Sequence, residues 1–194
     1  MEIVFPEIKS WLGEGEIIPV EAVTNAITND HISNMAEKLD RFSCIDYWFL
    51  LSKGCIRGLS SRVQWVYDDW STFTVRRGRI SGARTEYAKL LYAIENDYLY
   101  PYWTIQSYIT IEKPAKLLNA AICNTKDLIL YINSGEDGVD YFTRSVTKRG
   151  QAYFNAVPWN YLRKNHEVKI YDENNMREWK KRRSRALLEE MADG

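Results

Sequence analysis

The fold of this chain is decided by CIDYWFLL at 44–51, CIRGLSSRVQWV at 55–66, STFTVRR at 71–77 and WTIQSYITI at 103–111. Each of these segments alternates apolar and polar residues. Because strand side chains alternate faces with a period of two, each segment can bury one face and leave polar groups on the other. Between the third and fourth segments, TEYAKLLYAIEND at 85–97 has the apolar spacing of an amphipathic helix. This order predicts an α/β or α+β protein whose mixed central sheet of about five strands is flanked by helices.

The rest of the chain fits a single domain over residues 1–194. The prolines and glycines of residues 1–18 predict an N-terminal arm, and residues 173–192 predict a polar C-terminal helix. The second and third alternating segments predict a hairpin over 56–77. Residues 115–133 predict one or two helices, with Asn124 near the start of the second.

Composition excludes several classes of protein. The chain has 26 basic and 26 acidic residues, so its total charge does not favour nucleic acid. Cys44, Cys55 and Cys123 lie in apolar runs without CxxC or Cys/His spacing, which predicts reduced thiols rather than disulfides or structural zinc. No apolar run approaches the roughly 20 residues of a membrane span, and the start is unlike a signal peptide. We therefore expect a cytoplasmic protein without a membrane partner.

The order helix, strand, hairpin, helix, strand over residues 20–110 resembles the PD-(D/E)XK, or restriction-endonuclease-like, fold. Members of that superfamily hold Mg²⁺ with an acidic residue on one strand and an acidic-x-Lys signature on the following hairpin. Asp46 stands where the family places its characteristic Asp. The acidic-x-Lys position falls on Arg62-Val63-Gln64 or on Gln64-Trp65-Val66, and neither set supplies a second carboxylate. The resemblance therefore implies a restriction-endonuclease-like core with a degenerate catalytic centre.

From this resemblance we expect a nucleic-acid-processing protein, which in an active form would be a Mg²⁺-dependent phosphodiesterase (a nuclease). Asp46 and Gln64 would hold the metal ion, with Glu37 from the preceding predicted helix completing the catalytic set. Further polar side chains would contact the nucleic acid: Arg62, Arg76, Arg77, Arg84, Lys89 and Gln106.

The same residues also have explanations without catalysis. Asp46 and Arg62, on adjacent predicted strands, can form a cross-strand ion pair. Glu86 and Lys89 can pair three residues apart on a helix, which accounts for both without the phosphate contact expected of Lys89. Each pair would be structural rather than functional.

An alternative function is that of a non-enzymatic regulator or inhibitor that docks on a protein partner, favoured by the 7 Trp and 13 Tyr. Aromatic contacts are expected from predicted turns and loops: Trp65, Tyr67, Trp70, Tyr98, Tyr100 and Tyr102. A third alternative is nucleic-acid binding alone through the arginines from Arg76 to Arg84, which predicts steep salt dependence.

Overall fold

The computed structural model describes residues 3–20, 22, 43–52, 54–65, 71–79, 82, 84–135, 138–146, 150–171, 181 and 185. The helices in these ranges are α1 (Phe5–Leu12), α2 (Glu86–Glu95), α3 (Thr125–Ser134) and α4 (Trp159–Leu162). The strands are β1 (Gly15–Pro19), β2 (Tyr47–Leu51), β3 (Ile56–Trp65), β4 (Thr72–Arg79), β5 (Trp103–Ile109), β6 (Leu117–Asn124), β7 (Asp140–Val146), β8 (Gly150–Pro158) and β9 (Val168–Tyr171). The protein belongs to the α+β class.

The strands form two sheets. The larger sheet has six strands in the order β1-β2-β3-β5-β6-β9, and the smaller has three in the order β4-β8-β7. Within the larger sheet only β3 and β5 run parallel; the other neighbours are antiparallel. The predicted mixed sheet is confirmed, with six strands rather than about five and with a second sheet that the sequence did not reveal.

The larger sheet is covered on both faces. On one face α1 buries Ile8 and Leu12 against apolar side chains of β2, β3, β5 and β6. On the other face α2, α3 and α4 pack with β4 around Tyr108 and Trp159. Because large apolar side chains stabilise the fold by about 1.5–3 kcal/mol each when fully buried, these two layers fix the sheet between them.

The N-terminal segment is part of this core. The range predicted as an arm contains α1 and most of β1, with Val4 and Ile8 fully buried. Pro6 stands in the first turn of α1, where the ring replaces an N–H that would have no partner within the helix. The predicted C-terminal helix over 173–192 lies outside the described residues, apart from two isolated positions.

The predicted hairpin over 56–77 is wrong. β3 lies in the middle of the larger sheet between β2 and β5, whereas β4 pairs with β8 in the smaller sheet. The Tyr108 hydroxyl, on β5, donates to the Thr72 carbonyl at 2.9 Å and so attaches the start of β4 to the larger sheet. Strands that are neighbours in sequence are therefore separated into two layers.

The helix predicted over the first part of 115–133 is also wrong. Residues 117–124 form β6, which lies between β5 and β9 and is buried along most of its length. A strand buried on both faces has a continuous apolar sequence, and periodicity cannot distinguish such a sequence from a buried helix. The second predicted helix is confirmed as α3.

The predicted helix start at Asn124 is confirmed. Its side-chain oxygen accepts hydrogen bonds from the backbone N–H groups of Lys126 at 2.9 Å and Asp127 at 3.4 Å. These bonds satisfy two of the N–H groups that the first turn of a helix leaves without a partner. Asn124 therefore links the end of β6 to α3.

We expect Asn124→Ala to lower the free energy of unfolding by about 1 kcal/mol, because the cap is lost while the fold is kept. Asn124→Asp is the matched control, since an aspartate at the N-cap accepts the same bonds. Urea unfolding followed by tryptophan fluorescence measures both variants. Equal losses in the alanine and aspartate variants would show that the cap is not what Asn124 contributes.

Candidate functional site

A polar cleft of about 270 Å³ opens where β3, β4, the start of α2 and the segment before β2 meet. We call it the arginine cleft. The side chains that line it are Cys44, Asp46, Ser60, Ser61, Arg62, Arg76, Arg79, Arg84, Thr85, Glu86 and Lys89. Five of the predicted site residues are among them: Asp46, Arg62, Arg76, Arg84 and Lys89.

The lining of the cleft is cationic. It has five basic and two acidic side chains, a formal charge of +3 in a chain whose total charge is zero. The N-terminus of α2 adds the positive end of the helix dipole. The hydroxyl of Thr85, the N-cap residue, donates to the carbonyl of Arg77 at 2.8 Å and does not cap the helix. The positive charge of the lining and the helix dipole of α2 both favour an anion in the cleft.

Glu86 holds three elements of the cleft together. Its Oε2 atom accepts a charge-assisted hydrogen bond from Nη2 of Arg62, on β3. The same oxygen accepts the backbone N–H of Arg76, on β4, at 3.2 Å. The ion pair observed at Arg62 is therefore with Glu86 of α2, not the cross-strand pair with Asp46 that the sequence allowed.

A β-bulge determines which arginines reach the cleft. The pairing of β4 with β8 shifts between Arg76 and Gly78, so that Arg77 is the extra residue. Beyond the bulge the alternation of faces is reversed, and Arg79 lies on the same face as Arg76 although the two are three positions apart. Arg77 does not line the cleft, and Arg79, which sequence reasoning left out of the predicted site, does. The signal for this was Gly78, because a glycine inside a strand pattern is typical of a bulge.

The guanidinium of Arg76 lies in an unfavourable environment. Partial burial lowers its pKa from the ordinary value, the positive charges of Arg79 and Arg62 lower it further, and Glu86 acts in the opposite direction. The Nε atom of Arg76 is buried without a hydrogen-bond partner in the described part of the chain. Arginine stays charged even so. An anion bound in the cleft would reduce the repulsion and offer Arg76 an acceptor.

An aromatic ring supports the two arginines from one side. Phe154 of β8 has its ring centroid 5.8 Å from the Arg62 guanidinium and 5.6 Å from that of Arg76. The ring itself is buried, since only 7% of Phe154 is exposed. Cation–π contacts at these distances help to hold like charges close together. The two guanidinium groups are therefore positioned before any ligand binds.

Asp46 caps the backbone of β3. β2 begins at Tyr47, which is opposite Leu59, whereas β3 continues to Trp65. After Leu59, therefore, β3 no longer pairs with β2, and the N–H groups that β3 directs toward β2 need another acceptor. The Asp46 Oδ2 atom accepts the Ser61 N–H at 2.6 Å and lies 3.4 Å from the Ser60 hydroxyl. The carboxylate thus takes the place of a strand partner at the edge of the cleft.

Gln64 and Gln106 lie beyond the cleft, in a separate hydrogen-bond network. Gln106 stands opposite Arg62 in the parallel β3–β5 pair and is buried. Its Oε1 atom accepts the Thr74 hydroxyl at 3.1 Å, and Gln64 Nε2 donates to the same hydroxyl at 3.3 Å. These amides connect the two sheets, and the structure does not bring Gln64 into the cleft with Asp46.

The described side chains of the cleft do not fit the expected Mg²⁺ ion. Glu37 lies outside the described residues, and within those residues no three His, Cys, Asp or Glu side chains are grouped so that they could hold a metal ion. Oδ2 of Asp46 accepts a backbone N–H, and Oε2 of Glu86 is bonded to Arg62. A hard dication wants carboxylate oxygens, and five basic side chains around these two acids oppose its binding.

Two of the aromatic residues expected at a protein interface, Trp65 and Tyr102, lie far apart. Trp65, at the end of β3, is opposite Ile109, whereas Tyr102 precedes the start of β5, which is opposite Leu59. Six strand residues separate these positions, which is about 20 Å. Tyr67 and Trp70 lie outside the described residues. Trp65 and Tyr102 therefore do not belong to one patch.

The thiols differ in accessibility. Cys44 lines the cleft, Cys55 is exposed elsewhere, and Cys123 is buried. Burial, and after it the charge of Asp127, raises the pKa of the Cys123 thiol well above its ordinary value. Burial and a raised pKa make the Cys123 thiol a poor nucleophile.

No helix in the part of the chain that the structure describes has the length and apolar character of a membrane span. Comparisons with protein-family models, curated protein sequences and solved structures give no significant match to this chain.

Proposed function

We propose that this protein binds nucleic acid and that the arginine cleft holds a phosphate group of the backbone. The observation that supports this proposal best is the charge of the cleft lining, +3, at the N-terminus of α2. Arginine is suited to this role because its planar guanidinium donates two parallel hydrogen bonds to a phosphate.

The arrangement favours a phosphodiester over a protein carboxylate. Arg79 and Arg84, which line the cleft, are exposed, while Arg76 is half-buried. The cleft thus offers donors from several arginines, and a nucleic-acid strand carries more than one phosphate to accept them. A single carboxylate would use only part of this set.

Fluorescence anisotropy with labelled oligonucleotides tests the proposal. We expect the protein to bind DNA or RNA oligonucleotides. The logarithm of the binding constant should fall linearly with the logarithm of the salt concentration. With about three phosphate contacts on a single strand, the expected slope is about −2. Absence of binding to single- and double-stranded DNA and RNA at low salt would refute the proposal.

Cys44 gives a local readout of the same binding event. We expect a bound oligonucleotide to slow alkylation of Cys44 by iodoacetamide severalfold, because Cys44 lines the cleft. Cys55 is the internal control, since it is exposed and does not line the cleft. Mass spectrometry quantifies both sites in one sample. Equal protection of both cysteines, or of neither, would place the bound nucleic acid elsewhere.

The same oligonucleotides can be used to test whether the protein hydrolyses nucleic acid. The cleft holds two carboxylates that are both hydrogen-bonded to protein donors, so we expect intact oligonucleotide after incubation with Mg²⁺ or Mn²⁺. Cleavage that disappears in Asp46→Ala would contradict this expectation and restore the nuclease hypothesis. The phosphate-binding role of the arginines would stand in either case.

A further inference from the structure

Two exposed tyrosines lie beside the arginine cleft. Tyr92, in the second half of α2, is 43% exposed, and Tyr98, just after the helix, is 58% exposed. Their ring centroids are 5.7 Å apart with an interplanar angle of 55°. Aromatic rings that lie together at the surface offer a planar group a face on which it can stack.

Arg84 connects these rings to the cleft. Its guanidinium carbon lies 5.1 Å from the centroid of the Tyr92 ring, and the same side chain lines the cleft. Lys89, which also lines the cleft, is three residues before Tyr92 on the same helix, so the two side chains are neighbours on its surface. Cationic and aromatic groups therefore form one continuous surface along α2.

The size of the cleft limits what it can hold. At about 270 Å³ it is slightly smaller than the usual small-molecule pocket, which has about 300–1,000 Å³. It can hold one phosphate with part of its nucleotide, not the body of a duplex. Bases in a duplex are also stacked on one another, so they cannot reach Tyr92 and Tyr98. Unpaired bases can stack on exposed aromatic rings while a basic groove follows their backbone.

We infer that the ligand is single-stranded nucleic acid, whose phosphate lies in the arginine cleft while one or two adjacent bases stack on Tyr92 and Tyr98. This inference rests on the proposed nucleic-acid binding and adds the strandedness of the ligand to it. Arg84 lies at the junction, with its guanidinium able to donate to a phosphate while it remains against the Tyr92 ring.

The test compares the double variant Tyr92→Leu/Tyr98→Leu with Tyr161→Leu. Tyr161 is 40% exposed, and Nζ of Lys164 lies 4.5 Å from the centroid of its ring. Tyr161 therefore matches Tyr92 in exposure and in having a cationic side chain over its ring. For single-stranded oligo-dT and oligo-U we expect the double variant to lose at least about tenfold in affinity, and Tyr161→Leu to bind as the wild type does. An abasic oligonucleotide of equal length should bind the double variant and the wild type equally.

Three results would overturn the inference: unchanged single-strand affinity in the double variant, equal wild-type affinity for duplex and single strand, or equal wild-type affinity for abasic and base-containing strands. Each differs from failure of the proposed function, in which the wild type binds none of these probes. Quenching of 2-aminopurine in a bound single strand gives a direct readout of stacking, expected in the wild type and reduced in the double variant. Circular dichroism confirms that the exposed substitutions leave the fold intact.

Discussion

The double variant Arg79→Gln/Arg84→Gln is expected to bind single-stranded oligonucleotides about a hundredfold more weakly than the wild type. A charge-assisted hydrogen bond contributes about 1.5–3 kcal/mol, so the loss of two gives a reduction of at least two orders of magnitude. Both side chains are exposed at the cleft, so their removal should leave the fold unchanged. The salt slope should also become shallower by about one to two units, because two phosphate contacts are lost. Anisotropy titrations at several salt concentrations measure both quantities.

The bulge in β4 provides a matched control for this experiment. Arg77 is two residues before Arg79, is exposed, and does not line the cleft. The variant Arg77→Gln/Lys116→Gln loses the same total charge, and we expect its affinity to stay within about twofold of the wild type. If both double variants lose affinity equally, binding follows the net charge of the protein and the cleft has no special role.

The parity of the strands was predictable from the sequence, and the bulge was not. Alternation predicted Arg62 and Gln64 on one face of β3, and the register of β3 with β5 places Arg62 opposite Gln106. Applied to β4 as a regular strand, the same alternation puts Arg76 and Arg79 on opposite faces. One extra residue reverses every later position, so a local irregularity moved a charge from one face of the strand to the other.

Long-range pairing explains the errors in the fold. β4 pairs with β8, which lies about eighty residues later, and nothing in the local pattern of either strand specifies that partner. β6 resembled a helix because residues buried on both faces of a sheet show no alternation. The start of α3 was predictable, because the hydrogen bonds of the Asn124 cap join residues that are neighbours in sequence.

Most of the charged residues of the cleft were predictable from the sequence, whereas the positions of the two glutamines were not. Asp46, Arg62, Arg76, Arg84 and Lys89 were identified as charged residues on predicted elements, and the structure brings them together. Gln64 and Gln106 were assigned by position in a strand, but the Thr74 hydroxyl, between the two sheets, bonds to the amide nitrogen of Gln64 and to the amide oxygen of Gln106. Buried amides need hydrogen-bond partners, and only the packing of β4 on the larger sheet shows that Thr74 supplies one.

Glu86→Gln is expected to change stability and affinity in opposite directions. In the wild type the Glu86 carboxylate neutralises Arg62 and accepts the backbone N–H of Arg76. The side chains of Arg62 and Glu86 are only 24% and 17% exposed, so glutamine would leave a partly desolvated guanidinium without its counter-charge. We expect the free energy of unfolding to fall by about 1.5–3 kcal/mol. Urea unfolding measures this loss.

The same substitution raises the formal charge of the cleft lining from +3 to +4 and makes Arg62 available to a phosphate. Well below the unfolding transition, Glu86→Gln should therefore bind oligonucleotides severalfold more tightly, with a salt slope steeper by about one unit. Glu95→Gln removes an equal charge from the exposed end of the same helix, and we expect it to change neither quantity appreciably. Weaker binding by folded Glu86→Gln would contradict this prediction. It would mean that binding depends on Arg62 being held in place by Glu86, because the added positive charge would then have failed to compensate for lost positioning.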